Sequence, residues 1–259
     1  MEFSVRWVFL WQTKQPSKIY SWVDSSLLQP TLMKTFRHVT IDGLDDMETK
    51  TINGSRHYIV EDGKFYPSVT TVLGKNPDKL KGLAQWRKRV GSDEANKIST
   101  QASRRGTRVH NIVEDYLNNN LNGQYKDNPL GMDMFSMIQP TLDGRLDNIY
   151  AQEVALYSDH LGVAGRVDCV AEFDGKLSVI DFKTSGKTKK REWVHDYFKQ
   201  ASAYSIMWEE RTGMPIVQLV VLIMVDNDNP QIFVEHRDTW TESLIESIDY
   251  YKREYADGI

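Results

Sequence analysis

The chain has 259 residues, 40% hydrophobic and 26% charged, the composition of an ordinary globular protein with one domain's worth of core. Its single cysteine, Cys169, excludes an intramolecular disulfide and any four-cysteine zinc or iron–sulfur site, and points to a reducing compartment; no run nears the roughly 20 apolar residues of a membrane span. A net charge of −4 argues against a uniformly basic nucleic-acid binder, yet residues 79–108 carry a local balance of +7 and residues 183–199 of +4, which fits a phosphate-tracking groove on an acidic body.

Residues 1–33 mix Trp7, Trp11 and Trp22 with Glu2, Lys14 and Pro16 without a period. They read as a leader or poorly ordered segment, with an organelle-targeting segment as the rival. A small β region follows: His57 to Val60, a turn at Glu61 to Lys64, then Phe65-Tyr66. Ser68 is a good N-cap for a helix carrying Val69, Val72 and Leu73. Residues 78–120 read as helix in two or three pieces broken near Gly91; Val109, Ile112, Val113, Tyr116 and Leu117 form an amphipathic face. Asn118 to Pro129 reads as a loop, much of Gly131 to Tyr150 as helix, and Glu153 to Tyr157 as strand.

Next comes a hairpin, Gly165 to Phe173 and Lys176 to Lys183, around Asp174-Gly175. An Asp-Gly pair favours a two-residue type I′ turn, whose central residues both need positive φ. That turn sets Phe173 opposite Lys176 and, counting back, Asp168 opposite Asp181. Side chains alternate, so Lys183 shares their face, while Val167, Cys169, Ala171, Ile180 and Phe182 face a core. Facing carboxylates repel unless a cation lies between them. Mg²⁺ or Mn²⁺ would supply it, polarising a phosphoryl oxygen while an ammonium orients the attacking water.

Beyond the hairpin, Ser185 to Arg191 is a basic loop, Glu192 to Arg211 a helix, Ile216 to Val225 a buried strand, Gln231 to His236 its neighbour and Thr239 to Tyr255 a closing helix. This order predicts a mixed α/β layer fold with a helical first half. His110 and Glu114 stack at i, i+4 beside the apolar stripe; the histidine is a metal-ligand candidate or a boundary residue bonded to Glu114. Gln200 and Tyr204 form a second such pair. Lys187, Lys189 and Lys190 are placed to hold flanking phosphates. Trp86, beside Arg87, either stacks a base or packs in the core.

Together, Gly165-x-x-Asp168, Asp181-Phe182-Lys183 with Thr184-Ser185, Gln200-x-x-x-Tyr204 and Gly106-Thr107-x-x-His110 resemble the ordered motifs of the RecB-like branch of the PD-(D/E)xK nucleases. Tyr66-Pro67-Ser68-Val69-Thr70 through Leu73, with the hairpin's wording, is similar to the mitochondrial genome maintenance exonucleases and their bacteriophage relatives. The resemblance implies a restriction-endonuclease-like mixed β-sheet flanked by helices. It implies metal ligands at His110, Asp168, Asp181 and the Phe182 backbone carbonyl, Lys183 at the water, and Gln200 and Tyr204 in support. Ser68, Thr70, Trp86, Arg87, Arg105, Arg108, Lys187, Lys189 and Lys190 become candidate DNA contacts. Val167 replaces the proline common before the first acid.

The expectation is one nuclease domain over 34–259, with a DNA-gripping helical part near 67–150 and a catalytic core near 151–259. The expected activity is Mg²⁺- or Mn²⁺-dependent DNA exonuclease cleavage preferring single strands, leaving 5′-phosphate ends, in replication, repair or recombination. Alternatives are a structure-specific or duplex-end nuclease and a non-catalytic DNA-binding relative. The expected state is a monomer without an iron–sulfur cluster. Its expected setting is a bacterial or phage-infected cytoplasm, with the mitochondrial matrix as the lesser alternative.

Overall fold

The computed structural model describes residues 34–255; the leader expected over residues 1–33 lies outside them. A small antiparallel sheet of β1 (Thr49–Ile52), β2 (Ser55–Ile59) and β3 (Phe65–Pro67) opens the described chain. Helices α1 (Val69–Gly74), α2 (Pro77–Val90), α3 (Ser92–Leu117) and α4 (Pro129–Arg145) follow. Strands β4 (Leu146–Ser158), β5 (Val163–Phe173) and β6 (Lys176–Ser185), helix α5 (His195–Thr212), strands β7 (Gln218–Val225) and β8 (Gln231–His236) and helix α6 (Asp238–Tyr255) complete it.

The main sheet has five strands in the order β4-β5-β6-β7-β8. Hairpin-like links make its neighbours antiparallel except β6 and β7, which run parallel because α5 crosses between them. Both faces are covered. Ile112, Phe135 and Ile138 pack on Cys169, Ala171, Ile180 and Phe182 on one side. Phe198, Trp208 and Leu244 pack with Val170, Val179 and Leu219 on the other. Each fully buried Phe or Leu contributes roughly 1.5–3 kcal/mol through removal of apolar surface from water. The layering is a mixed α/β sheet flanked by helices, as the element order predicts.

Asp174 and Gly175 take φ of 52° and 72°, the two positive values a type I′ turn needs. Arg145 anchors the turn, its Nε donating to Asp174 Oδ1 at 2.9 Å. The register runs from Phe173↔Lys176 to Cys169↔Ile180, and regular pairing stops one step short of Asp168 and Asp181. Ladder bonding changes at that step: Asp168 Oδ2 accepts the Phe182 N–H at 2.8 Å.

Four features differ from expectation. Strand β4 begins at Leu146 rather than near Glu153. Leu142, Leu146 and Ile149 keep helical spacing, but tertiary pairing decides: Val39 N–H donates to the Ile149 carbonyl at 2.7 Å and Ile149 N–H to the Arg37 carbonyl at 2.8 Å. Helix α5 starts at His195 because Arg191–Trp193 form a separate 3₁₀ turn. β1 has no apolar alternation to announce it, its residues being mostly exposed. Val167 packs with the α5-side cluster rather than with Cys169.

Candidate active site

Register counting applies to the β4–β5 hairpin as well as to β5–β6. Ser158 pairs with Val163, Val154 with Val167 and Gln152 with Cys169, which sets Glu153 against Asp168. Glu153 is the functional candidate that sequence reasoning missed, although the four-residue link Asp159 to Gly162 would have placed it by the same count. Its backbone φ is 48°, a left-handed value costly for a residue with a Cβ. Arg166 donates to the Glu153 carbonyl oxygen and to Asp46, holding that turn of chain in place.

Helix α3 packs on β6 and brings His110 over the strands. One ligand atom each from His110, Glu153 and Asp168 lies within 4.8 Å of the other two; His110 Nδ1 is 3.9 Å from Asp168 Oδ2. Burial first, then the carboxylates of Asp168 and Glu114, pushes the Glu153 carboxyl up to about 7. Two facing carboxylates and an imidazole are a hard-cation donor set.

Asp181 lies beside this cluster, 1% exposed. Its Oδ1 accepts from the Lys183 ammonium, while Oδ2 is buried with no hydrogen-bond partner. Burial raises the Asp181 carboxyl well above the ordinary carboxylate range, and the Asp168 charge adds to this against the pull of Lys183. An orphaned buried carboxylate oxygen beside a three-donor cluster fits a bound divalent cation, which would supply the missing partner. Lys183 keeps its charge because the Asp181 and Asp168 charges outweigh burial. The Tyr197 ring centroid lies 5.4 Å from the Lys183 ammonium and covers it from α5.

From the same helix, Gln200 Nε2 donates to the Tyr204 hydroxyl at 3.1 Å. Tyr204 is buried and its phenol pKa is strongly raised by burial and by Asp168, so it stays protonated. Gly165 makes room for this ring: a Cβ there would lie 2.7 Å from Tyr204 Cε1.

The expected DNA contacts divide. Arg105, Arg108, Lys187, Lys189 and Lys190 lie around the end of β6 and on α3. Gln231 brackets the Lys189 backbone with bonds of 2.6 and 2.8 Å. Arg87 donates to Asn96 Oδ1 at 2.7 Å, binding α2 to α3, and Trp86 is half-buried on the same helix. Ser68 is 1% exposed, its hydroxyl accepting the Thr71 N–H at 3.1 Å as the α1 N-cap, so as a DNA contact it is corrected to a helix start. Thr70 is exposed and accepts from Arg56 at 3.3 Å. Trp193, which the sequence did not single out, is 58% exposed with the Lys190 ammonium 5.4 Å from its ring centroid.

Residues 129–254 match the PD-(D/E)XK nuclease superfamily, and they contain β5, β6 and α5 with the acids and lysine just described. This stretch of the chain is similar to the PD-(D/E)XK nucleases. Human mitochondrial genome maintenance exonuclease 1 is 33% identical over 208 residues, 74% of this chain and 60% of that protein. The mouse protein of the same name is 33% identical over 131 residues, 48% of this chain and 38% of that protein. The chain thus spans less than two thirds of the curated relatives it matches. A solved structure, SSO0001, covers 72% of this chain and 76% of its own at 14% identity and a TM-score of 0.38. The PD-(D/E)XK match begins at Pro129, after His110, so the α3 ligand candidate rests on its geometry beside Asp168.

Proposed function

We propose that the chain is a divalent-metal-dependent DNA exonuclease preferring single strands, with His110, Glu153, Asp168 and Asp181 holding the metal. One observation carries this: three ligand atoms from α3, β4 and β5 converge within 4.8 Å beside a lysine paired with a fourth, half-satisfied acid. A bound Mg²⁺ or Mn²⁺ would polarise the scissile phosphoryl oxygen and lower the pKa of a water. Lys183, held by Asp181 and covered by Tyr197, orients that water and offsets developing charge. Tyr204, kept protonated by burial and the Asp168 charge and accepting from Gln200, supports the site from α5. The Phe182 carbonyl, whose own N–H is engaged by Asp168, is the remaining ligand of this reading.

The strand preference is supported by α2 and α3. None of the α2 side chains is buried. Lys79 Nζ ties its start to Asp196 at the α5 N-terminus, 3.0 Å away, while α3 returns across β6. The helical pair therefore runs from one side of the acids to the other, and its basic residues offer a single strand a charged path. The relatives are named exonucleases, which supports end-directed cleavage. Their printed names also favour the mitochondrial alternative over a bacterial or phage cytoplasm. Among the described residues no helix is long and apolar enough to cross a membrane.

The test uses end-labelled linear and circular DNA, single- and double-stranded, with Mg²⁺, Mn²⁺ or chelator. Metal-dependent loss of linear single strands, with circles intact, is expected. Cutting of circles would remove the exonuclease reading, and preference for duplex ends the strand reading. Lys183→Ala should abolish cleavage with DNA binding retained; wild-type rates in that variant would refute the catalytic assignment.

A further inference from the structure

Among the described residues several cavities lie outside the metal site, and one of them is strongly basic. It has a volume of about 410 Å³ and is lined by Gln101, Arg104, Arg105 and Arg108 of α3, by Asn128 and Gly131 at the start of α4, and by Asp226 after β7. Three guanidiniums against one carboxylate leave it electropositive. Two of its donors lack partners: Arg105 Nε and Asn128 Nδ2 are buried with no hydrogen bond. An orphaned buried donor costs about 1–3 kcal/mol, and these two lie just beneath the lining, one on α3 and one at the start of α4, so a small shift of either side chain would bring a donor to an acceptor in the cavity. Asn128 Oδ1 caps α4 by accepting the Gly131 N–H at 3.2 Å, which turns the positive end of that 17-residue helix to the same space.

The cavity also adjoins the acids. The Arg105 guanidinium lies over the backbone at Gly186, where an added Cβ would sit 3.6 Å from Nη1. Gly106 lies against Thr184, a Cβ there falling 3.7 Å from Thr184 Oγ1. Lys183 to Gly186 runs three residues to just past the end of β6, roughly 10 Å. We infer that this cavity is a phosphate subsite, seating a strand phosphate near the one being cleaved. The assignment of its phosphate to DNA rests on the nuclease reading; the anion site itself does not. Asp226 opposes the anion, and its Oδ1 accepts from Asn227 Nδ2 at 2.8 Å.

The experiment takes the full chain treated with chelator, so that no metal competes for the probe, and follows thermal unfolding against inorganic phosphate. Wild type should be stabilised in a concentration-dependent way. Arg104→Gln with Arg108→Gln, both exposed positions, and separately Arg105→Gln, should weaken the apparent phosphate affinity about tenfold, the loss of one charge-assisted bond; Asp226→Asn should strengthen it. With metal restored, the arginine variants should raise KM for single-stranded oligonucleotides about tenfold and leave kcat within about twofold. A rise confined to phosphorylated ends assigns a terminal phosphate; an equal rise on hydroxyl-ended strands assigns an internal one. Equal stabilisation of wild type and the exposed double variant by phosphate overturns the site. Phosphate stabilisation with no DNA cleavage by wild type overturns the nuclease reading, and with it the DNA assignment, separately from the anion site.

Discussion

Glu153 sits at φ 48° with its carboxyl facing Asp168, a backbone and a charge placement that both raise the energy of the metal-free protein. Its folded-state pKa of about 7, against an ordinary value of 4.5, fixes the sign of the pH effect. Between these values the folded chain holds a proton that the unfolded chain has released, so stability falls as pH rises from about 4.5 to about 7 and levels above that. Asp181, shifted in the same direction by burial, adds to the slope. Chelated protein should lose thermal stability across this window, about 1–2 kcal/mol from Glu153 after solvent screening, and Mn²⁺ should restore part of it at pH 8; a flat profile would contradict the facing-acid arrangement. Glu153→Gln should flatten the profile, stabilise the chelated protein at pH 8, and lower metal-dependent cleavage at least a hundredfold, measured by unfolding and by single-turnover assays. Gly165→Ala would press a methyl onto Tyr204 Cε1, 2.7 Å away, and should cost about 1–3 kcal/mol in denaturant unfolding.

At the level of elements, the hairpins decide the site. Asp174-Gly175 fixes the β5–β6 register through local turn chemistry, which is why Asp168, Asp181 and Lys183 could be placed together from residue order alone. Gly175 at φ 72° tolerates substitution poorly, and Gly175→Val should weaken the hairpin by about 1 kcal/mol or more, read as a lower unfolding midpoint. Glu153 lies inside the strand expected over Glu153 to Tyr157, but no Asp-Gly pair marks the β4–β5 link as it does β5–β6, so its register goes uncounted; the start of β4 is hidden because Leu142, Leu146 and Ile149 continue a helical period, while Ile149 is held as strand by pairing with residues 37–39. Tyr197 over Lys183 and the exposed Trp193 were equally unreadable, since the 3₁₀ turn at Arg191–Trp193 shifts the α5 start by three residues. Helical spacing singled out His110, Gln200 and Tyr204 and the resemblance gave them roles; the fold brings His110 to 3.9 Å from Asp168. The α2 helix is the opposite case, legible as a helix but without a buried side chain. Its amides should exchange faster than those of α5 and β5 through β7, by orders of magnitude, because local opening exposes little apolar surface there; equal protection would mean that α2 is more firmly docked than its contacts allow.

Across the whole molecule, the net charge of −4 would repel a polyanion if it were spread evenly, and its separation into basic segments would make the proposed DNA binding a matter of position. Residues 79–108 and 183–199 come together around the end of β6, where Arg105 lies against Gly186 and the Lys187 to Lys190 loop leaves the strand. Each phosphate neutralised by such a cluster releases counterions, giving a slope of about −0.7 per contact in log affinity against log salt for a single strand. Binding of a single strand by Lys183→Ala protein, which keeps the strand intact, isolates this term from cleavage. Replacing Arg104 and Arg108 with glutamine should reduce the magnitude of the slope by about 1–1.5, whereas charge removal at Lys252, beside Gly162, should leave it unchanged. If all of these variants shifted the slope alike, attraction would follow net charge, and the groove would have no part in guiding a strand to Asp168 and Asp181.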